Sequence, residues 1–161
     1  MHQVGLASSW ENSWPCTRKG KLMGKQASVT WLKKRQFVGT DGSKHSVVMS
    51  SQDEDNGVGM SPSQLLLVAL GGCTSYDVVN ILEKKREPIT GLEVRVTGEQ
   101  APDPPWTYRK IHLHYVVRGK GLSEKAVRGA IALSEEKYCS VAATLRGKAE
   151  ITWEYTIIDE T

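Results

Sequence analysis

The chain has 161 residues, 39% hydrophobic and 24% charged, with a formal net charge of +3 from 21 basic and 18 acidic residues. That length argues for one domain, or one domain plus a tail, and that composition for a packed core rather than broad disorder. The small, scattered basic excess argues against a nucleic-acid partner, and three cysteines, Cys16, Cys73 and Cys139, are too sparse for a secreted disulfide scaffold.

Residues 1–24 carry Trp10, Trp14, Pro15, Gly20 and Gly24 without a sustained period, and are expected to form a flexible leader ahead of a domain spanning 25–161. Met23 is a candidate start of the compact unit. The leader lacks the apolar segment of a signal peptide, and no apolar run approaches bilayer-spanning length. A cytoplasmic protein without membrane contact is the expectation.

From Gln26 to Lys33 the alternation around Val29 and Trp31 predicts a strand, and Gln36–Gly39 a second. Thr40-Asp41-Gly42-Ser43 is a turn signal, and His45–Ser50 reads as the returning strand. The polar stretch from Ser51 to Gly59 is a loop. Ser61-Pro62-Ser63-Gln64 then predicts a helix start, with Ser61 as N-cap, Pro62 at the first helical position and Gln64 closing a capping box. The helix is expected to run to Lys85, roughly 36 Å. Leu65–Leu70 is apolar on every side, so this half should be buried all round. Lys84, Lys85 and Arg86 suit the negative end of the helix dipole, and Pro88 blocks continuation.

Two strands follow, one alternating at Leu92, Val94 and Val96, the other at Ile111, Leu113, Tyr115 and Val117. A second helix starts at the N-cap Ser123 and breaks near Tyr138-Cys139. A short helix continues to Leu145, and Gly147 stops it. Ile151, Trp153, Tyr155 and Ile157 give the last strand one buried face. Three strands, a long helix, two strands, a helix pair and one strand make an α+β fold. So few elements leave the apolar helix uncovered, which predicts an obligate homodimer.

Cys73 follows Gly71-Gly72 inside the long helix, where each glycine costs roughly 1 kcal/mol relative to alanine. Close approach of a neighbouring backbone and room for a substrate both account for that pair. Cys139 sits where one helix ends and another begins, so exposed N–H groups are expected to lower its pKa. An unperturbed thiol is only about 3% thiolate at pH 7, so such a shift controls reactivity.

Ser61-Pro62-Ser63-Gln64-Leu65, Ala69-Leu70-Gly71-Gly72-Cys73 and Asp77-Val78-Val79 resemble the central helix of the OsmC/Ohr family, the osmotically inducible and organic hydroperoxide resistance proteins. Ser134-Glu135-Glu136-Lys137-Tyr138-Cys139-Ser140-Val141 resembles the family's second cysteine segment. The resemblance covers about residues 25–158. It implies an antiparallel sheet wrapped against a long central helix in an intertwined homodimer with sites at the subunit interface. It also implies a thiol-dependent peroxidase for organic hydroperoxides. Cys73 would attack the O–O bond and become a sulfenic acid, and Cys139 would resolve it as a disulfide. An external dithiol, of the dihydrolipoyl type, would reopen that bond, with no haem, flavin or metal.

The chain departs from the peroxidase pattern at the activating groups. The family's acidic residue, ten positions before the peroxidatic cysteine, is replaced by Ser63, with Gln64 beside it. Arg35 is the sole arginine between Met23 and Arg86, hence the candidate for the family's arginine. Asp77, four residues after Cys73, shares its helix face and as a carboxylate raises a neighbouring thiol's pKa; it could equally orient a substrate or anchor the core. His112 and His114 share one strand face and read as a polar sheet face rather than metal ligands. A redox-sensing or small-ligand-binding protein without efficient turnover is the alternative function. A purely structural or partner-binding domain would require both thiols to be inert.

Overall fold

A computed structural model describes residues 24–160. The expected leader, with Trp10, Trp14 and Cys16, falls outside these residues but for Gly24.

Among the described residues six strands and three helices follow the expected order: β1 (Ala27–Lys33), β2 (Gln36–Asp41), β3 (Ser46–Ser50), α1 (Pro62–Lys84), β4 (Ile89–Gln100), β5 (Tyr108–Gly119), α2 (Glu124–Leu133), α3 (Ser140–Leu145) and β6 (Glu150–Asp159). A single π-helical turn, Ser134–Tyr138, joins α2 to Cys139 and α3. The strands form two separate three-stranded sheets, β1-β2-β3 and β4-β5-β6.

The second sheet corrects the wholly antiparallel expectation. β4 and β5 are antiparallel, with Val94 opposite Tyr115, but β5 and β6 run parallel, with Leu113 opposite Trp153. Parallel neighbours need a crossover of a dozen or more residues, and the segment through α2, the π turn and α3 supplies it.

The core lies between this sheet and the helices. Ile111, Leu113, Tyr115 and Val117 alternate inward from β5 and are at most 1% exposed. Leu70, Thr74, Val78 and Leu82 meet them as a narrow stripe along α1, and Val127, Ala130 and Ile131 close the layer from α2. Each large apolar side chain taken out of water here contributes about 1.5–3 kcal/mol of gross burial energy.

Both ends of α1 are fixed locally. The Ser61 hydroxyl accepts from the Gln64 N–H while the Gln64 side chain accepts from the Ser61 N–H, the capping box read from sequence. At the other end, the Arg86 N–H reaches the Glu83 carbonyl and the Glu87 N–H the Leu82 carbonyl. That Schellman pattern puts Arg86 at φ 59, a left-handed conformation usually given to glycine.

Two expectations about α1 are corrected. An 18-residue window of the helix has mean hydropathy 1.7, long and apolar enough for a membrane span by length and composition. Nor is its N-terminal half buried all round within one chain: Leu66 is 37% exposed and Val68 55%. The narrow stripe uses one face, and nothing among the described residues covers the other. The N-terminal sheet matches it, packing sparsely against the rest of its own chain and leaving Val29, Trp31 and Leu32 exposed.

Candidate functional site: two thiols and a buried polar chain

Cys73 lies at mid-length on α1, one residue before the buried stripe residue Thr74. The Gly71-Gly72 pair precedes it, and the two glycines differ. A side chain at Gly71 would press on Val96 of β4, so this glycine permits close helix–sheet packing. A side chain at Gly72 would meet nothing, so this one leaves room. An open groove lined by Leu67, Val68, Gly71, Gly72 and Val96 runs over the pair.

Cys139 is reached by a different route. The π turn widens the end of α2 by one residue, the Cys139 N–H closes it on the Ser134 carbonyl at 2.9 Å, and the chain extends before α3 restarts. The thiol becomes the N-cap of α3, accepting from the Ala142 N–H at 3.3 Å, and is only 2% exposed. The Sγ atoms of Cys73 and Cys139 and a carboxylate oxygen of Asp77 all lie within 4.8 Å of one another. Two thiols and a carboxylate at that spacing are also a donor set able to serve one metal ion.

The electrostatics separate the thiols, in the opposite sense to that expected for Cys139. Burial raises Cys73, but the Val141 N–H, the Cys139 thiol and the Ser140 hydroxyl, 4.0 Å away, outweigh it. Despite the adverse Asp77 charge, Cys73 is held below the ordinary thiol range. Cys139 is pushed up, first by burial and then by Cys73, against the opposing N–H groups of Ala142 and Val141. The start of α3 therefore favours the thiolate of Cys73, across the gap, more than that of its own cap residue.

The other sequence candidates divide cleanly. Asp77 is in the cluster. Gln64 is spent in the capping box, nine residues before Cys73, or about 13 Å along the helix. Arg35 is an exposed charge 3.8 Å from Asp53. Its expected activating role finds no support within one chain, because the β1–β2 turn holds it at the N-terminal sheet. His112 and His114 sit on the outer sheet face, 2.8 Å from the hydroxyls of Thr152 and Thr156, and form the polar face expected.

A buried polar chain behind the cysteines was missed. Glu135, in the π turn, is 5% exposed. Its Oε1 accepts from the Tyr115 hydroxyl at 2.7 Å and from Thr74 at 3.2 Å. Thr74 also contacts Tyr115 at 2.7 Å and Ser134 at 2.9 Å, and Ser134 donates to Asp77 at 3.0 Å. The Arg146 guanidinium donates to the Glu135 backbone carbonyl and steadies the turn. Tyr115 is held well above the ordinary phenol range, by burial first and by Glu135 as well, so it remains a proton donor.

The family model described as OsmC-like protein matches residues 53–154. This chain belongs to that family. Protein YhfA of Escherichia coli K12 is 38% identical over 133 residues, which cover 83% of this chain and 98% of that protein. An OsmC-like protein from Mycoplasma pneumoniae superposes with TM-score 0.74 at 18% identity, covering 84% and 97% of the two chains. An organic hydroperoxide resistance protein from Legionella pneumophila superposes with TM-score 0.63 at 13% identity, covering 84% and 98%. At these identities the two structures establish a common fold. The OsmC-like core thus contains both cysteines, Asp77 and the polar chain behind them.

Proposed function

We propose that this OsmC-like protein is a thiol-dependent peroxidase for organic hydroperoxides, working as a homodimer. The observation that carries the reading is the unequal thiol pair: sulfurs within 4.8 Å, one shifted toward its thiolate and the other held as a thiol. A peroxidatic cysteine needs the first property and a resolving cysteine tolerates the second.

Cys73 as thiolate attacks the terminal peroxide oxygen. The S–O bond forms, the O–O bond breaks, and the alkoxide takes a proton to leave as alcohol. The Cys139 thiol then displaces water from the Cys73 sulfenic acid. The sulfurs must close from their present spacing to about 2.05 Å, by side-chain rotation and a small backbone adjustment around Cys139. An external dithiol, of the dihydrolipoyl class, reduces the disulfide and is itself oxidised to a disulfide. The fold shared with a hydroperoxide resistance protein supports the reading.

The test is consumption of a dithiol driven by an alkyl hydroperoxide. Catalytic consumption is expected, abolished by Cys73→Ser, with Cys139→Ser leaving a single oxidation of Cys73 without turnover. Stoichiometric oxidation alone would favour the second reading, a redox sensor. The specific observation on that side is Arg35, paired with Asp53 rather than with either thiol.

A further inference from the structure

Three metal-ligating side chains converge where α2 gives way to α3. Asp77 lies one turn beyond Cys73 on α1, and Cys139 approaches both from the start of α3. The two Sγ atoms and a carboxylate oxygen fall within 4.8 Å of one another. Among the described residues no basic side chain pairs with Asp77. The Asp77 charge also opposes a thiolate at Cys73. A divalent cation at their centre turns this mutual repulsion into three attractive contacts.

We propose that the reduced protein binds one zinc-class divalent cation between Cys73, Asp77 and Cys139, with water in the fourth position. Two thiolates select a borderline-soft ion over magnesium or calcium, and the carboxylate favours a divalent ion over copper(I). Zinc has no redox chemistry of its own, so it leaves the thiolates reduced. Zinc–sulfur bonds of about 2.3 Å place two thiolates roughly 3.8 Å apart on a tetrahedral ion. Closing the cluster from its present spacing therefore takes about 1 Å at most. Each donor is also oriented from behind. Ser134, itself fully buried and held by Thr74 at 2.9 Å, contacts Asp77 at 3.0 Å through its donated hydroxyl hydrogen. The Ala142 N–H points at Cys139 Sγ at 3.3 Å, and the Val141 N–H and the Ser140 hydroxyl face Cys73. Outer contacts of this kind fix ligand atoms in place around a metal.

Binding and oxidation exclude one another. Both cysteines bind as thiolates, and their protons pass to solvent. A disulfide removes both sulfur ligands at once. An alkyl hydroperoxide that oxidises the loaded site takes two electrons from the sulfurs. The O–O bond breaks, the S–S bond forms, two solvent protons complete one alcohol and one water, and the cation is released. This metal release rests on the disulfide of the peroxidase reading; the binding itself does not.

Cobalt(II), a spectroscopic substitute for zinc, titrated into reduced, metal-free, full-length protein tests the site. The expected result is one equivalent bound per chain, with a thiolate-to-cobalt charge-transfer band in the near ultraviolet and visible bands of tetrahedral intensity. One equivalent of zinc should displace the cobalt and remove them. Cys16→Ser should leave the spectrum unchanged. Cys73→Ser and Cys139→Ser should each lower the charge-transfer intensity and weaken binding, whereas Asp77→Asn should keep the intensity and weaken binding roughly 10–100-fold. In wild type, zinc should slow alkylation of Cys73 and Cys139 relative to Cys16, a readout that needs no variant. Absence of the charge-transfer band, its loss in Cys16→Ser, unchanged affinity in Asp77→Asn, or alkylation of Cys73 and Cys139 unslowed by zinc would each overturn the site. Dithiol turnover is measured separately on metal-free protein. Cobalt binding without turnover would sink the peroxidase reading and leave the metal site standing; turnover without cobalt binding would do the reverse.

Discussion

Cys73 and Cys139 are chemically alike and differ here only through their surroundings. The N–H of Val141, the Cys139 thiol and the Ser140 hydroxyl converge on Cys73, whereas burial dominates at Cys139. Alkylation follows the thiolate fraction, which rises as pH passes each group's own pKa. The Cys73 labelling rate should therefore rise and level off at lower pH than a free thiol's, while Cys139 should begin to label only above the ordinary thiol range near about 8.5. Peptide-resolved alkylation rates across pH check both. Asp77→Asn removes the adverse carboxylate charge and should speed Cys73 labelling at neutral pH by roughly threefold. The cysteines and Asp77 were legible in the sequence because a break between helices and a spacing of four mark them. Glu135 was not, since Glu135-Glu136-Lys137 reads as a solvated charge run. Its signal was positional: Val127, Ile131 and Glu135 are spaced by four, which carries the apolar stripe of α2 on to a carboxylate just past the helix end.

The elements were legible where a local rule determines them. The capping box at Ser61 and the inward alternation of β5 depend on neighbouring residues alone, and both stand as read. The direction of β6 does not: alternation identifies the buried face of a strand but not which way its neighbour runs, so the parallel pairing was out of reach. The ends of α1 carry two opposite stability predictions. Ser61→Ala removes the cap acceptor and should cost about 1 kcal/mol. Arg86→Gly relieves a left-handed residue in a Schellman turn and should stabilise by about 1 kcal/mol. Urea unfolding midpoints of the two variants, compared with wild type, should move in opposite directions.

For the whole molecule, the exposed face of α1 and the exposed strand β1 are large apolar surfaces in one chain. The dimer proposed here would cover them, as the uncovered apolar helix already suggested in the sequence. Val68→Glu, placed on that face, should shift sedimentation from dimer toward monomer and lower the unfolding temperature. An unchanged dimer would show that this face is not the interface. The account as a whole depends on the sulfurs of Cys73 and Cys139 forming one redox couple. Peptide mapping by mass spectrometry after one equivalent of an alkyl hydroperoxide tests this most directly, with Cys16 as a control for indiscriminate oxidation. The account predicts a Cys73–Cys139 disulfide within one chain, absent when either cysteine is replaced by serine. Over-oxidised Cys73 alongside a free Cys139 thiol would contradict it.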